Sequence, residues 1–289
     1  MDTRELEQFE SARPRLLGLA YRMLGSRVDA EDVVQDCFLR WQNADRGAIQ
    51  SPEAWFTSAC TRRCLDLLKA AHRSRTEYVG PWLPEPLHLT VDPEHESLSS
   101  TLSAAFLLLL ERLTPRERAA YLLHEVFGQE HRDVAAALEL STEACRQLTV
   151  RARRHLEEAQ PRYRTRPEDQ ERMLQAFQSA VRHGNLAGLT ALLAEDVQVT
   201  SDGGGKASAA LRVLEGSEAQ TFLGKSLEWW KEWTWDLVHL NGGWGAILRD
   251  GDQAVLTLEL HCNEEARISR VYIVRNPDKL AHLAAVQIE

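Results

Sequence analysis

The chain of 289 residues lacks a long apolar run, so the sequence predicts no transmembrane helix, which needs about 18 such residues. Residues 1–10 are acidic and lack the apolar segment of a signal peptide, so we expect a cytoplasmic protein with no membrane partner. The five cysteines include no Cys-x-x-Cys pair, which argues against a disulfide framework or a zinc ribbon, and we expect no metal and no cofactor. Cys60 and Cys64 share a helix face as expected core residues, with redox or metal sensing as the alternative.

The chain also lacks a net positive charge, because 43 Asp and Glu outnumber 34 Lys and Arg and give a formal net charge of −9 at pH 7. The basic residues nevertheless concentrate in two segments. Residues 62–75 hold five Lys or Arg against one acid, and residues 142–166 hold seven arginines against three acids. Local basic patches in an acidic chain predict weak DNA binding by the protein alone, as would suit a subunit that binds DNA together with a larger partner.

Apolar spacing divides the chain into helical and mixed parts. Helical periodicity covers residues 5–75 and 101–160, and a proline-rich linker with little periodicity lies between them. A short basic joint spans residues 161–168. Beyond it we expect helices near residues 169–183 and 186–194.

Local signals add detail to this division. Alternating residues at 197–200 and 254–260 predict strands, and Asp250-Gly251-Asp252 predicts a hairpin. We expect Asp29 to cap one N-terminal helix, and Ser51, followed by proline, to cap the next. The part after residue 168 is therefore predicted to be α+β.

The segment from Thr114 onward has the pattern of a helix-turn-helix. A first helix begins at Thr114 and ends near Gly128, a short second helix follows, and Ser141 caps a basic third helix over residues 142–156. The turn has Glu139 where glycine is usual, so an ordinary helical hairpin with a solvated face is the alternative. In a helix-turn-helix the third helix enters the major groove. The residues predicted to face bases or phosphates are Thr142, Glu143, Arg146, Gln147, Val150, Arg151, Arg153 and Arg154.

The helical parts resemble the extracytoplasmic-function RNA polymerase sigma factors. Leu16–Trp41 (LLGLAYRMLGSRVDAEDVVQDCFLRW) and Ser51–Arg75 (SPEAWFTSACTRRCLDLLKAAHRSR) resemble region 2 of that family, and the helix-turn-helix resembles region 4. The resemblance implies two partners, core RNA polymerase and promoter DNA. Region 2 would grip the polymerase clamp and melt the −10 element, and region 4 would read the −35 element.

The resemblance also implies roles for individual residues of region 2. The polymerase-binding residues would be Asp29, Glu31, Asp32, Gln35 and Asp36, an acidic helix face suited to a basic clamp. The residues on the single strand would be Trp55, Arg62, Arg63 and Arg73, where bases stack and arginines hold phosphates. A solvated face for the acids and a core position for Trp55 are the alternatives.

Three further motifs resemble those of the sigma subgroup that carries a C-terminal SnoaL-like domain. They are YVGPWLPEPL (Tyr78–Leu87), SDGGGK (Ser201–Lys206) and NPDKL (Asn276–Leu280). The residues expected to be regulatory are Trp82, Pro84, Asp202, Gly203, Gly204, Gly205, Lys206, Asn276, Asp278 and Lys279. We expect the glycine loop to contact region 2 or the linker, an intramolecular contact between the SnoaL-like domain and the sigma core.

The expected fold is multidomain, with two all-α sigma domains followed by an α+β SnoaL-like cone. The boundaries are residues 1–76 for region 2, 77–100 for the linker, 101–166 for region 4 and 167–289 for the SnoaL-like domain. The three glycines of the loop do not have Walker spacing, so nucleotide binding is not expected.

The cone leaves two alternatives open. Asp202, His239 and His261 are the acid–base candidates of an enzyme, but no diagnostic catalytic pair occurs, and we expect no catalytic residue. The tryptophans concentrated at residues 229–244 are expected to pack in a core or interface, with the lining of a small-molecule pocket as the alternative.

The sequence favours a sigma factor regulated by its own C-terminal domain. A ligand-responsive helix-turn-helix regulator that acts without polymerase is one alternative, but such a regulator has no need for the N-terminal block. A SnoaL-like enzyme carried on a DNA-binding platform is the other.

Overall fold

A computed structural model describes residues 3–75, 78–88, 100–158 and 167–285. They belong to two compact units, one of residues 1–76 with 107–160, the other of residues 77–106 with 161–289. Within the described ranges, no helix is long and apolar enough to span a membrane.

Three helices form the N-terminal part of the first unit: α1 (Thr3–Leu24), α2 (Arg27–Gln42) and α3 (Pro52–Arg75). The predicted cap at Asp29 is wrong. Ser26 caps α2, because its backbone is extended and its hydroxyl accepts a hydrogen bond from the Asp29 N–H at 3.2 Å.

Aromatic rings and small side chains fill the interior of this three-helix part. Trp41 is buried, and its ring packs on Phe56 with centroids 4.7 Å apart. Cys60 and Cys64 are fully buried, as expected for core residues. Among the described residues, no group of three or more His, Cys, Asp or Glu is placed to hold a metal ion.

Four helices follow the linker: α4 (Ala104–Leu110), α5 (Pro115–Tyr121), α6 (His131–Leu138) and α7 (Thr142–Glu157), with a π-helical turn at Leu122–Val126. Thr114 and Glu117 form a capping box at the start of α5. Ser141 caps α7 by accepting from the Ala144 N–H. The tight turn between α6 and α7 is made by Glu139 in the left-handed region (φ 55°), where glycine is usual.

The second unit is built on a mixed six-stranded sheet. The strands are β1 (Leu193–Asp202), β2 (Leu214–Glu215), β3 (Thr234–Leu240), β4 (Gly243–Asp250), β5 (Gln253–Cys262) and β6 (Ile268–Val274). Their order is β2-β1-β6-β5-β4-β3, and β1 and β6 are parallel while the other neighbours are antiparallel. The helices are α8 (Pro167–Arg182), α9 (Leu186–Leu192), α10 (Gly216–Trp230) and α11 (Pro277–Leu280). The predicted strands, hairpin and helices of this unit are confirmed, although α9 ends two residues early because Leu193 begins β1.

The two faces of this sheet differ in character. One face packs against α8, α9 and α10 through an apolar core that contains Phe177, Trp230 and Trp235, with ring centroids 6.3 to 6.4 Å apart. On β5 the other face carries Thr257 and Glu259, which alternate with core residues. The linker residue His88 forms an antiparallel bridge with Leu240, at the end of the edge strand β3.

Candidate functional site: a docked linker and the exposed face of the helix-turn-helix

Asp202, at the end of β1, is the central acid of the second unit. Its side chain is fully buried. Oδ1 accepts a 2.6 Å hydrogen bond from the Tyr78 hydroxyl, and Oδ2 accepts one of 2.8 Å from the Leu83 N–H. Because a buried carboxylate must be paired, these bonds fix two points of the linker to the sheet.

Lys279 of the NPDKL motif completes the pairing of Asp202. Its Nζ lies 2.8 Å from Asp202 Oδ2 and also donates to the Leu83 carbonyl at 2.5 Å. The same ammonium lies over the rings of Trp82 (4.4 Å) and Tyr78 (5.2 Å). The two aromatic rings and the buried carboxylate together fix the position of the Lys279 ammonium, because losing any of them would leave a buried charge less well compensated.

Asn276 joins the same cluster. Its side chain caps α11 by accepting from the Asp278 N–H, and its Nδ2 donates to the Tyr78 oxygen at 2.9 Å. Its own N–H donates to the Asp202 carbonyl. Burial, followed by the bond to Asp202, raises the pKa of Tyr78 and keeps the phenol protonated as a donor. Tyr78, Trp82, Leu83, Asp202, Asn276 and Lys279 are called the linker-docking site below.

The glycines after Asp202 let backbone and side chains approach this site closely. Gly204 has φ 57°, and a Cβ there would overlap Asn276. A Cβ on Gly203 would overlap the backbone of Ala207, and one on Gly205 would press on Val79. Lys206 pairs with Asp278 at 2.5 Å, although both side chains are more than half exposed. The DGGGK and NPDKL motifs therefore contact each other as well as the linker.

A second anchor holds the far end of the linker. The Leu87 N–H donates to Asn241 Oδ1, and the Asn241 N–H donates to the Leu87 carbonyl, both at 2.8 Å. Asn241 Nδ2 donates to buried Glu259 at 2.6 Å, and Glu259 also accepts from the Ala104 N–H at 3.4 Å. Burial raises the pKa of Glu259 to about 7. The Glu259 carboxyl group is thus linked to Leu87 through Asn241 and binds Ala104 directly, so it joins the two chain positions that flank residues 89–103.

The other residues of this unit that the sequence singled out, as regulatory, acid–base or pocket-lining candidates, have separate surroundings. Pro84 is buried within the docked linker. His239 packs on Trp244 at 4.4 Å, whereas His261 packs on Tyr272, and burial lowers the pKa of His261 to about 4. Trp229 remains 60% exposed. Sequence reasoning missed Asn241 and Glu259, which carry no motif, and it quoted Tyr78 without assigning it a role.

In the first unit, α7 buries one face against the protein core and exposes the other. Its buried residues are Cys145, Thr149, Ala152 and Leu156, and Thr142 is half-buried. The exposed polar residues include Glu143, Arg146, Gln147, Arg151, Arg153 and Arg154. Several of these arginines pair with acids, including Arg153 with Glu125 (2.5 Å) and Arg154 with Glu158 (3.1 Å).

The residues expected on region 2 fall on two neighbouring helices. Asp29, Glu31, Asp32 and Gln35 form an exposed face of α2. Asp36 pairs with Arg63 at 2.7 Å, while Arg62 pairs with Glu139 of the helix-turn-helix at 3.1 Å. The ring of Trp55 is half-buried against Trp41 at 5.3 Å. The side chain of Arg73 lies outside the described residues.

Comparison with known proteins agrees with this geometry. Family models for Sigma-70 region 2 and Sigma-70 region 4 match residues 8–74 and 103–156. The ECF RNA polymerase sigma factor SigJ of Mycobacterium tuberculosis is 37% identical over 221 residues, which cover 74% of this chain and 70% of that protein. The probable ECF RNA polymerase sigma factor SigI of the same species is 34% identical over 185 residues, covering 63% of this chain and 64% of SigI.

The same relative has a known structure. The crystal structure of M. tuberculosis SigJ superposes with a TM-score of 0.74 and 30% identity, covering 96% of this chain and 98% of that one. The chain therefore belongs to the extracytoplasmic-function RNA polymerase sigma factors, in the subgroup that carries a C-terminal SnoaL-like domain.

Proposed function

We propose that the SnoaL-like domain restrains the sigma regions by holding the linker that joins them. The observation that carries this proposal is the fully buried Asp202, whose two oxygens bind Tyr78, Leu83 and Lys279. An acid that is merely structural within one domain would have no need for partners in an interdomain linker.

The positions of the two anchors support restraint. Tyr78 follows α3 by three residues, and Ala104 begins α4, so the linker is bound near both of its ends. Region 2 and region 4 must reach two separate promoter elements at once. A linker fixed near both ends opposes their separation, whereas a released linker of about 24 residues allows it.

Contacts within the first unit also favour a restrained state, in which regions 2 and 4 are held together. Helix α3 packs against α6 of the helix-turn-helix, and Arg62 is paired with Glu139. In this state Arg62, which we propose binds promoter DNA, is paired with a carboxylate of the protein instead. Regulation then requires a signal that binds the restrained and released states with different affinity.

We assign polymerase binding to the exposed acidic face of α2, and promoter contacts to α3 and α7. The polymerase-binding residues are Asp29, Glu31, Asp32, Gln35 and Asp36. The DNA-binding residues are Trp55, Arg62, Arg63, Arg73, Thr142, Glu143, Arg146, Gln147, Arg151, Arg153 and Arg154. Action in the cytoplasm follows from the polymerase partner.

We assign no chemical reaction to the SnoaL-like domain. The Asp202 carboxylate is already bound by three partners in the linker-docking site, and His239 and His261 pack on other rings. A small molecule bound in the cone is the kind of signal that this arrangement would accept. We keep the domain boundaries at residues 1–76, 77–100, 101–166 and 167–289.

Promoter-dependent transcription with purified core RNA polymerase tests the proposal. The full chain is expected to direct initiation from promoters selected out of genomic DNA, and Arg146→Gln is expected to reduce it. The matched control is Arg182→Gln, an exposed arginine on α8. Absence of initiation from every selected promoter, by the full chain and by Asp202→Ala alike, would overturn the assignment.

A further inference from the structure

The surface of α7 that faces away from the protein core is a narrow stripe. The buried residues of α7 recur every three or four positions, so they define one face of the helix. At 100° per residue, the opposite face carries Glu143, Gln147, Val150 and Arg154. Arg146 and Arg151 flank this stripe on its two sides.

The stripe is polar except for Val150, which is 65% exposed. With most of its side chain exposed, Val150 contributes little to the packing of the protein core. A β-branched residue also lowers helix propensity compared with alanine, and an exposed apolar side chain gains little from packing. What distinguishes Val150 is its place in the middle of the stripe of the helix-turn-helix that faces away from the core, where it offers an apolar contact to a partner that covers this stripe.

The major groove offers one feature that an apolar side chain recognises, the 5-methyl group of thymine. The other stripe residues have polar groups that suit base edges or phosphates. Gln147 is already oriented by Glu143, since its Nε2 lies 3.3 Å from Glu143 Oε1, and a glutamine amide held in this way can address a base.

We infer that Val150 is a specificity-determining residue that contacts a thymine methyl group in the −35 element. The inference rests on the proposed function, because it requires α7 to enter the major groove of promoter DNA. Arg154, one turn further along the stripe and paired with Glu158, would contact the phosphate backbone at the end of this stripe.

The test combines a chemical change in the DNA with a substitution in the protein. Holoenzyme is formed from the full chain and core RNA polymerase on a selected promoter. Each thymine of the −35 element is replaced singly by deoxyuridine, which removes the methyl group and keeps base pairing. The wild type is expected to lose about fourfold in affinity at one position, the effect of one buried methyl-sized group.

Val150→Ala is expected to bind the thymine and deoxyuridine promoters equally at that position. The matched control is Leu186→Ala, an exposed apolar residue at the start of α9, and it should keep the fourfold loss. If the wild type ignores every replacement, or if Val150→Ala still discriminates, the inference is overturned while the sigma function stands. If the holoenzyme binds no promoter, the proposed function fails and the inference fails with it.

Discussion

Arg118 and Met23 lie 95 residues apart in sequence, yet Arg118 Nη1 donates a 2.6 Å hydrogen bond to the Met23 carbonyl oxygen. Met23 is in the last turn of α1, where carbonyl groups have no partner within the helix. A guanidinium from the helix-turn-helix part thus satisfies the C-terminus of a region 2 helix, a position where positive charge is favourable.

This contact predicts a large effect of Arg118 on stability. The side chain is 4% exposed and also pairs with Glu111 at 2.8 Å. Arg118→Met removes hydrogen bonds of a charged donor, and we expect a loss of about 2–3 kcal/mol in the free energy of unfolding. Urea denaturation measures it. The exposed Arg112→Met is the control, and an equal loss in both variants would contradict the assigned role.

Buried titratable groups in the second unit predict an unusual pH dependence. The pKa of Glu259 is raised from 4.5 to about 7, so its contribution to stability is present below pH 4.5 and is lost as pH rises through 7. The pKa of His261 is lowered from 6.5 to about 4, so its contribution is present above pH 6.5 and is lost as pH falls through 4. The two slopes have opposite sign and offset each other between about pH 4.5 and 6.5.

Single substitutions should separate these slopes. Glu259→Gln keeps an uncharged side chain of the same shape, and its stability should rise from pH 4.5 to 6.5 by up to 1.4 kcal/mol per pH unit, roughly the limit for one proton. The wild type should change much less over that range. Thermal unfolding across pH measures both. Parallel curves for the wild type and Glu259→Gln would show that Glu259 titrates normally.

The arginines of α7 should divide into two functional kinds. Arg151→Gln and Arg153→Gln are expected to weaken promoter binding similarly for all sequences and to lower the slope of log affinity against log salt by about 1 each. Arg146→Gln should instead relax the preference at one base pair of the −35 element. Holoenzyme binding at several salt concentrations measures both effects. A unit change in salt slope for Arg146→Gln with unchanged base preference would refute the division.

Docking of the linker should be visible without any transcription assay. Asp202→Ala leaves Tyr78, the Leu83 N–H and the Lys279 ammonium without their shared acceptor, and losing one partner of a buried ion pair costs about 3–5 kcal/mol. Hydrogen exchange at residues 78–88 should therefore accelerate strongly. Lys206→Glu, in an exposed pair, should accelerate it less. The control is Glu228→Ala on the surface of α10.

The sequence allowed most of the fold to be predicted, because its signals are local. Proline after Thr114 and serine before α7 define helix starts, and the Asp250–Asp252 hairpin follows from turn chemistry. The cap of α2 was misplaced because Ser26 and Asp29 are both good capping residues, and only backbone geometry distinguishes them.

The linker-docking site could be predicted only in part. The motifs that contain Asp202 and Lys279 were recognised, but their contacts with Tyr78 span 124 residues and more, and no spacing rule predicts such pairs. Asn241 and Glu259 were missed for a related reason. Their role depends on burial beneath the linker, which hydrophobic periodicity does not reveal for single polar residues in strands.

The central claim is that the docked linker restrains the sigma regions, and the most direct measurement is promoter-dependent initiation by Asp202→Ala holoenzyme. Core RNA polymerase, a selected promoter and saturating full-length chain are used, with Glu228→Ala as the control. We predict several-fold more initiation from Asp202→Ala than from the wild type, alongside faster hydrogen exchange at residues 78–88. Initiation that stays unchanged or falls while the linker is demonstrably released would contradict restraint by the SnoaL-like domain.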